Sequence, residues 1–338
     1  MIERGAKGEN PRARHRAEGG FVPKDPTVGG RTDDRAYRLC AGRDRPHIVS
    51  DRGGRAAGRF CAPSSAAVRS SPEVTLWRLE WDLDGHHWHI YPLNLGEFVA
   101  IERSIFVLHS GFGTKIKAPC LGWLLHDGSE WVLVDTGPWD PARAEKYHAY
   151  EMIGSGPEAV RRGLKDHGLE PADVEHVLLT HLHWDHVANV GMFEKARFYV
   201  QHAEACYALD PLPPHRRIYE VGQGYALPWH GIIHRTTFFR GEQEFRPGIT
   251  CHLLPGHTPG SQGILVQTER GAMMIAGDNV DLLENWEGNE QYHHVPGGTF
   301  TNLEDYFDSL RRMETMADAV LPAHDYCVLD PAWQPWKS

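Results

Sequence analysis

The chain is 338 residues long, 41% hydrophobic and 24% charged, with a formal net charge of −10. That composition belongs to ordinary soluble globular proteins. The acidic balance argues against nucleic acid as the main partner, and no apolar run is long enough to span a bilayer, so no membrane partner is expected.

The cysteines (Cys40, Cys61, Cys120, Cys206, Cys251, Cys327) are scattered and include no Cys-x-x-Cys pair. They read as free thiols in a reducing compartment, not as a disulfide framework or a thiolate zinc site. No apolar h-region marks the N-terminus, so the expected location is the cytoplasm.

Residues 1–73 differ from the rest: 13 arginines and 2 lysines stand against 9 acidic residues, and no hydrophobic period is present. Such a segment buries too little apolar surface to offset its chain entropy. It is expected to be a disordered Arg/Gly-rich extension, with residues 74–338 forming one domain.

From Val74 the pattern becomes regular. Val74–Trp81 alternates like a strand, and Ile105–Leu108 reads as another. Cys120–His126 and Glu130–Asp135 flank Asp127-Gly128, a hairpin signal. A helix is predicted near Gly156–His167, with Pro157 at its start and Gly168 past its end. Further strands are predicted at Val174–Leu179, Ala196–Val200, Ile249–Leu254, Gly263–Gln267, Ala272–Ala276 and Val320–Leu321. Helices are predicted to open at His202 and to run near Leu303–Ala317. No repeat of 20 to 50 residues is visible.

After the Val174–Leu179 strand comes Thr180-His181-Leu182-His183-Trp184-Asp185-His186. Three histidines and one aspartate within six residues are good ligands for zinc and similar divalent metals, and packing explains such a cluster poorly. His257, Asp278 and His324 also follow short apolar strands. Strand ends can converge at one edge of a sheet layer, where functional groups sit on a rigid scaffold. One zinc takes about four ligands, so seven candidates suggest two metals sharing one, with Asp278 as the bridging carboxylate. By contrast His86, His87 and His89 read as incidental surface residues.

These motifs resemble the metallo-β-lactamase superfamily: His181-x-His183-x-Asp185-His186, the lone His257 in Gly-His-Thr-Pro-Gly-Ser, Asp278 after a strand, His324 near the end, and the early Asp135-Thr136-Gly137. The resemblance covers roughly residues 100–328. It implies an α/β (α+β) fold, the αβ/βα four-layer sandwich with two mixed β-sheets and outer helices. It implies that His181, His183 and His257 bind one metal and Asp185, His186 and His324 a second, with Asp278 bridging two Zn2+ ions. Asp135 matches a position that orients a ligand histidine.

Two zinc ions sharing a water lower its pKa and give a nucleophile near neutral pH. Asp185 is the candidate for taking and returning the proton, so Asp185 and Asp278 are the catalytic carboxylates.

Departures narrow the choice. The commonest class B β-lactamases carry cysteine where Asp278 stands, and flavodiiron oxygen reductases replace the second histidine, here His183, with glutamate. Superfamily nucleases carry a basic surface, whereas residues 74–338 are acidic.

Within that superfamily the chain resembles the quorum-quenching N-acyl homoserine lactone lactonases. They share the ligand set, the His324-Asp325 pair, and a Gly-Asp followed by Glu-Asn-aromatic-Glu, here Gly277-Asp278 and Glu284-Asn285-Trp286-Glu287. That branch has tyrosine where this chain has Asp281, so any oxyanion helper comes from elsewhere, with Tyr292 and His294 as candidates. The expected reaction is lactone opening on a small-molecule lactone or ester. Thioester hydrolysis of the glyoxalase II kind is the alternative, and a non-catalytic metal-binding member a third reading. The resemblance is compatible with a homodimer. Candidate pocket residues are Trp184, Trp229, His230, Trp286, Tyr292 and His294, since aromatic loops beside a metal edge suit an apolar acyl substrate.

Overall fold

The computed structural model describes residues 86–336. The extension expected over 1–73 and the strand expected at Val74–Trp81 lie outside the described residues. Within them the strands run in chain order as β1 His89–Glu102, β2 Lys115–His126, β3 Trp131–Val134, β4 Met152–Ile153, β5 His176–Leu178, β6 Arg197–Gln201, β7 Thr236–Phe239, β8 Gln243–Arg246, β9 Ile249–Leu253, β10 Gln262–Thr268, β11 Gly271–Ile275 and β12 Ala319–Leu321. The α-helices are α1 Arg103–Phe106, α2 Pro141–His148, α3 Pro157–Lys165, α4 Trp184–Val187, α5 His202–Leu209, α6 Leu283–Glu287 and α7 Leu303–Met316.

The strands form two sheets, ordered β4-β1-β2-β3-β5-β6-β7 and β12-β11-β10-β9-β8. Both are mixed. In the first, β1, β2 and β3 pair antiparallel and β3, β5, β6 and β7 parallel. In the second, β8 through β11 are antiparallel and β12 joins β11 in parallel.

Alternation along each strand builds the layers. Leu121, Trp123 and Leu125 of β2, Val132 and Val134 of β3, and Leu178 of β5 share one core with Ile249, Cys251, Ile264, Val266, Met273 and Ile275 of the other sheet. The intervening residues Leu124, Leu133 and Val177 face outward and pack with Val160 and Leu164 of α3. On the far side Met274 and Val320 pack with Tyr306, Leu310 and Met313 of α7. The result is the expected helix–sheet–sheet–helix sandwich.

Local chemistry sets the element ends. The β2–β3 turn closes on Asp127, whose Oδ1 accepts from the backbone N–H groups of Ser129 and Glu130 at 2.8 and 2.9 Å. Helix α3 begins at Pro157, where its fixed φ suits the first helical position. Helix α7 is capped by Asn302, whose side chain accepts from Glu304 and Asp305 N–H.

One expectation fails locally, and one strand is missed. Ile105–Leu108 is not a strand: Ile105 and Phe106 close the single turn of α1, with Val107 N–H donating to Arg103 O at 3.0 Å. A four-residue apolar run carries no period that separates the two forms, and here the Arg103 side chain fastens the turn to Ser110 and Glu284. Conversely, the 14-residue β1 escapes sequence reading because Pro92 and Gly96 interrupt its alternation, and its pairing with β2 shifts register between Asn94 and Glu97 and again between Phe98 and Ile101.

Trp123 is among the largest fully enclosed side chains of the inter-sheet core. Replacing it with alanine is expected to cost about 3–5 kcal/mol, read as a lower urea midpoint with an unchanged slope.

Candidate metal centre

Strands β3, β5, β9, β11 and β12 end at one edge of the sandwich. Gln262 ties the two sheets there: its N–H donates to Thr180 O at 2.8 Å and its Nε2 to Leu179 O at 2.8 Å. Gly277 follows β11 with φ +55, and a Cβ there would lie 2.8 Å from the Thr180 Cβ. Only glycine allows both that backbone and that approach.

The structure brings all seven sequence-derived candidates to this edge. His181 and His183 follow β5, and Asp185 and His186 lie on α4. His257 follows β9, Asp278 sits in the turn after β11, and His324 follows β12. Asp278 is the hub. Its Oδ2 lies 3.6 Å from His181 Nε2 and 3.5 Å from His257 Nε2. Its Oδ1 lies 3.0 Å from His186 Nε2 and 3.3 Å from His324 Nε2. Asp185 Oδ2 is 4.0 Å from both of those last two nitrogens, and His183 Nδ1 is 3.0 Å from His257 Nε2. The side chains therefore divide into His181, His183 and His257 on one side, Asp185, His186 and His324 on the other, and Asp278 between.

The back of four of the five rings is fixed. His257 Nδ1–H donates to Thr299 O at 2.9 Å and His324 Nδ1–H to Pro119 O at 2.8 Å. A carbonyl can only accept, so Nδ1 carries a proton in each, and in the neutral ring Nε2 turns its lone pair toward the centre. His186 Nδ1 meets Asp135 Oδ2 at 2.9 Å. Asp135 also accepts from Thr180 N–H and Oγ1–H at 2.8 and 2.7 Å, and Thr180 Oγ1 in turn meets His181 Nδ1 at 3.0 Å. One carboxylate thus orients two imidazoles, a common arrangement behind ligand histidines. It is held in a left-handed conformation, φ +58, which aspartate tolerates better than most residues.

The electrostatics match a ligand set. Burial, followed by neighbouring imidazoles, pushes His181 and His183 well below the usual histidine range, and burial lowers His257. That direction favours the neutral ring, the form that binds metal. Burial alone would lower His186 and His324, but the carboxylates of Asp278 and its neighbours outweigh it and raise both. Burial would raise Asp278, yet His186, His181 and His324 hold it well below the carboxylate range.

His181 Nε2, His186 Nε2, His324 Nε2 and Asp278 Oδ1 are buried, and the polar atoms they face belong to the cluster itself. Four such atoms facing one point would be costly in a merely structural cluster. Nitrogen and carboxylate donors in this number fit a pair of zinc-like ions.

A cleft opens onto this edge. Phe98, Ile101, Ile105, Phe106, Tyr150, Trp184 and Ile218 form its apolar wall; His183, Asp185, His257, Asp278 and Asp281 form its polar floor. Of the six pocket candidates from sequence, Trp184 lies in this wall. The others lie elsewhere: Trp229 in the core under the first sheet, His230 at the surface, Tyr292 exposed, and Trp286 stacked on His294.

Sequence reasoning missed Phe106, which stacks on His324 at 4.9 Å, and Tyr150, because the single turn of α1 and the loop after α2 carry no ligand-like motif. It also missed Glu204 of α5. This enclosed carboxylate accepts from Leu182 N–H, Tyr219 O–H and Thr258 Oγ1–H at 2.9, 2.7 and 2.5 Å. It ties the His181–His183 segment to the His257 loop, and Tyr219 packs edge-on against His183. Asp281 is buried, and burial together with Asp278 raises it well above the carboxylate range.

The chain matches the profile of the metallo-beta-lactamase superfamily over residues 117–324. It is 30% identical over 193 residues to the N-acyl homoserine lactonase AttM of Rhizobium radiobacter, covering 52% of this chain and 65% of that protein. To the N-acyl homoserine lactonase of Bacillus thuringiensis it is 32% identical over 184 residues, covering 52% and 69%. Among solved structures, Bacillus thuringiensis AiiA with N-decanoyl-L-homoserine bound at its active site superposes with a TM-score of 0.57 at 23% identity, covering 70% of this chain and 92% of that one. The dizinc quorum-quenching lactonase AidC superposes with a TM-score of 0.55 at 16% identity, covering 70% and 87%. These two share the fold.

Proposed function

The chain belongs to the metallo-beta-lactamase superfamily, and from that membership we propose that it is a dinuclear zinc hydrolase that opens a lactone ring, with N-acyl homoserine lactones as the leading substrate class. The observation that carries the reading is the division of Asp278, one oxygen toward His181 and His257 and the other toward His186 and His324. A single carboxylate between two imidazole sets would suit a pair of ions held side by side.

In this reading His181, His183 and His257 would hold one ion, Asp185, His186 and His324 the other, and Asp278 both. The ions supply Lewis acidity and lower the pKa of water. The chain's own residues do the rest. Asp135 and the Thr299 and Pro119 carbonyls keep the imidazoles aimed, so little reorganisation is needed on substrate binding. Asp185 Oδ2 faces the cleft floor, where it can take a proton from water and return it to the leaving alkoxide. The wall of Phe98, Ile101, Phe106, Trp184 and Ile218 suits an acyl chain and excludes water from the reacting bond.

Tyr150 is the phenol of that wall. It stands where a hydrogen-bond donor could reach a developing oxyanion, a role for which Asp281 replaces the tyrosine of the lactonase branch. Tyr150→Phe is expected to lower kcat about 10²-fold with little change in KM. An equal loss confined to KM would assign Tyr150 to binding alone.

The test of the whole reading is a panel of lactones, thioesters and phosphodiesters offered to zinc-loaded protein. Ring opening of lactones, lost in His183→Ala, is the expected result. Preference for thioesters would move the assignment to the glyoxalase II-like alternative. Equal, background-level rates for both proteins across the panel would overturn it.

A further inference from the structure

A second histidine cluster lies outside the seven-residue centre and shares no residue with it. It joins the loop after α6 to the last turn of α7. His294 is 6% exposed in its side chain, and its ring stacks on Trp286 at 4.4 Å. Its Nδ1–H donates to the Trp286 carbonyl at 2.6 Å. The carbonyl cannot donate, so in the neutral ring Nε2 carries a lone pair. That nitrogen is buried without a hydrogen-bond partner.

That nitrogen faces a carboxylate oxygen. Glu314 Oε1 lies 3.1 Å from His294 Nε2 and 2.6 Å from His293 Nε2. The two imidazoles stand side by side, with centroids 4.6 Å apart. An imidazole nitrogen and a carboxylate oxygen at this distance need a cation between them, a proton or a metal ion. Glu314 adds to the need. It sits in the last turn of the 14-residue α7, where the helix dipole is negative, and no basic residue occupies that turn.

We propose that His293, His294 and Glu314 bind one divalent transition metal, zinc or a similar ion, separately from the hydrolytic centre. Two imidazole nitrogens and one carboxylate oxygen are a ligand set of the His2Glu type, which leaves a position for water. The three donor atoms lie within 4.8 Å of one another, and bonds of about 2.0–2.2 Å can span them after a small rotation of the exposed His293. The Trp286 carbonyl does for His294 what outer carbonyls do for other ligand histidines, fixing the tautomer and the ring plane. The site would staple the segment 288–294 to the end of α7. It differs from the centre in being open, since the His293 side chain is 82% exposed.

The test is zinc stoichiometry of the full chain at equilibrium with chelator-buffered free zinc, from nanomolar to submillimolar, read by elemental analysis. Wild type is expected to bind one equivalent more than His293→Ala and one more than Glu314→Gln, with lactone hydrolysis equal in all three. Both side chains reach the surface, and circular dichroism checks that each variant is folded. The comparison is a difference of one equivalent, so it stands whatever the central site holds and whatever it hydrolyses. Identical binding curves for wild type and the two variants would overturn the proposal and leave the cluster as a histidine–glutamate ion pair.

Discussion

Asp278→Asn is expected to lower turnover about 10³-fold, a loss of about 4 kcal/mol in transition-state stabilisation, and to release at least one equivalent of bound zinc. The substitution keeps the side chain's shape and removes its charge. In the native arrangement that charge faces four imidazole nitrogens between 3.0 and 3.6 Å away. An amide offers one oxygen, so it can serve one side of the centre and not both. In metal-free protein the same change has a direction that can be checked by histidine proton titration. His186 and His324 sit above the ordinary histidine range because Asp278 and its neighbours outweigh burial. With Asp278 neutralised, burial gains ground and both values fall. An Asp278→Asn enzyme with native zinc content and native turnover would sink the bridging role.

How much of this centre the sequence revealed depended on whether the signal was local. Thr180–His186 puts four ligand-type side chains on one short stretch, so no tertiary knowledge was needed to see it. His257, Asp278 and His324 were legible because each closes an apolar strand, and strand ends of a sandwich share an edge. The sheets and their outer helices were legible through period-two alternation, as at Trp123, Leu124 and Leu125.

The cleft wall was not legible. Phe98 and Ile101 come from β1, whose alternation Pro92 and Gly96 break, and Phe106 from a turn that reads as a strand. Tyr150 and Ile218 come from loops. Loop aromatics near the centre in sequence, such as Trp286 and Tyr292, were the natural guess. Proximity in sequence says nothing about which way a loop folds, and Trp286 instead packs on His294. Glu204 escaped for a related reason. A lone acid on a short helix looks solvated until the fold turns it inward, where the Leu182 N–H and two hydroxyls satisfy it.

Asp185→Asn should separate proton handling from metal holding. Asp185 lies 4.0 Å from both His186 Nε2 and His324 Nε2, so it is close enough to complete the second ligand group. It also lines the cleft, so it is placed to meet the substrate's leaving oxygen. Loss of general acid–base help is worth about 10²–10⁴-fold, and the size of the loss should depend on the substrate. A lactone expels an alkoxide, a poor leaving group that must be protonated as the ring opens. A nitrophenyl ester expels a phenolate that departs without a proton. In zinc-saturated Asp185→Asn, turnover of the lactone is therefore expected to fall at least tenfold more than turnover of the aryl ester. If Asp185 acted only as a ligand, both substrates would lose rate in the same proportion as the zinc. Equal penalties on the two substrates in fully loaded enzyme would remove Asp185 from the proton path.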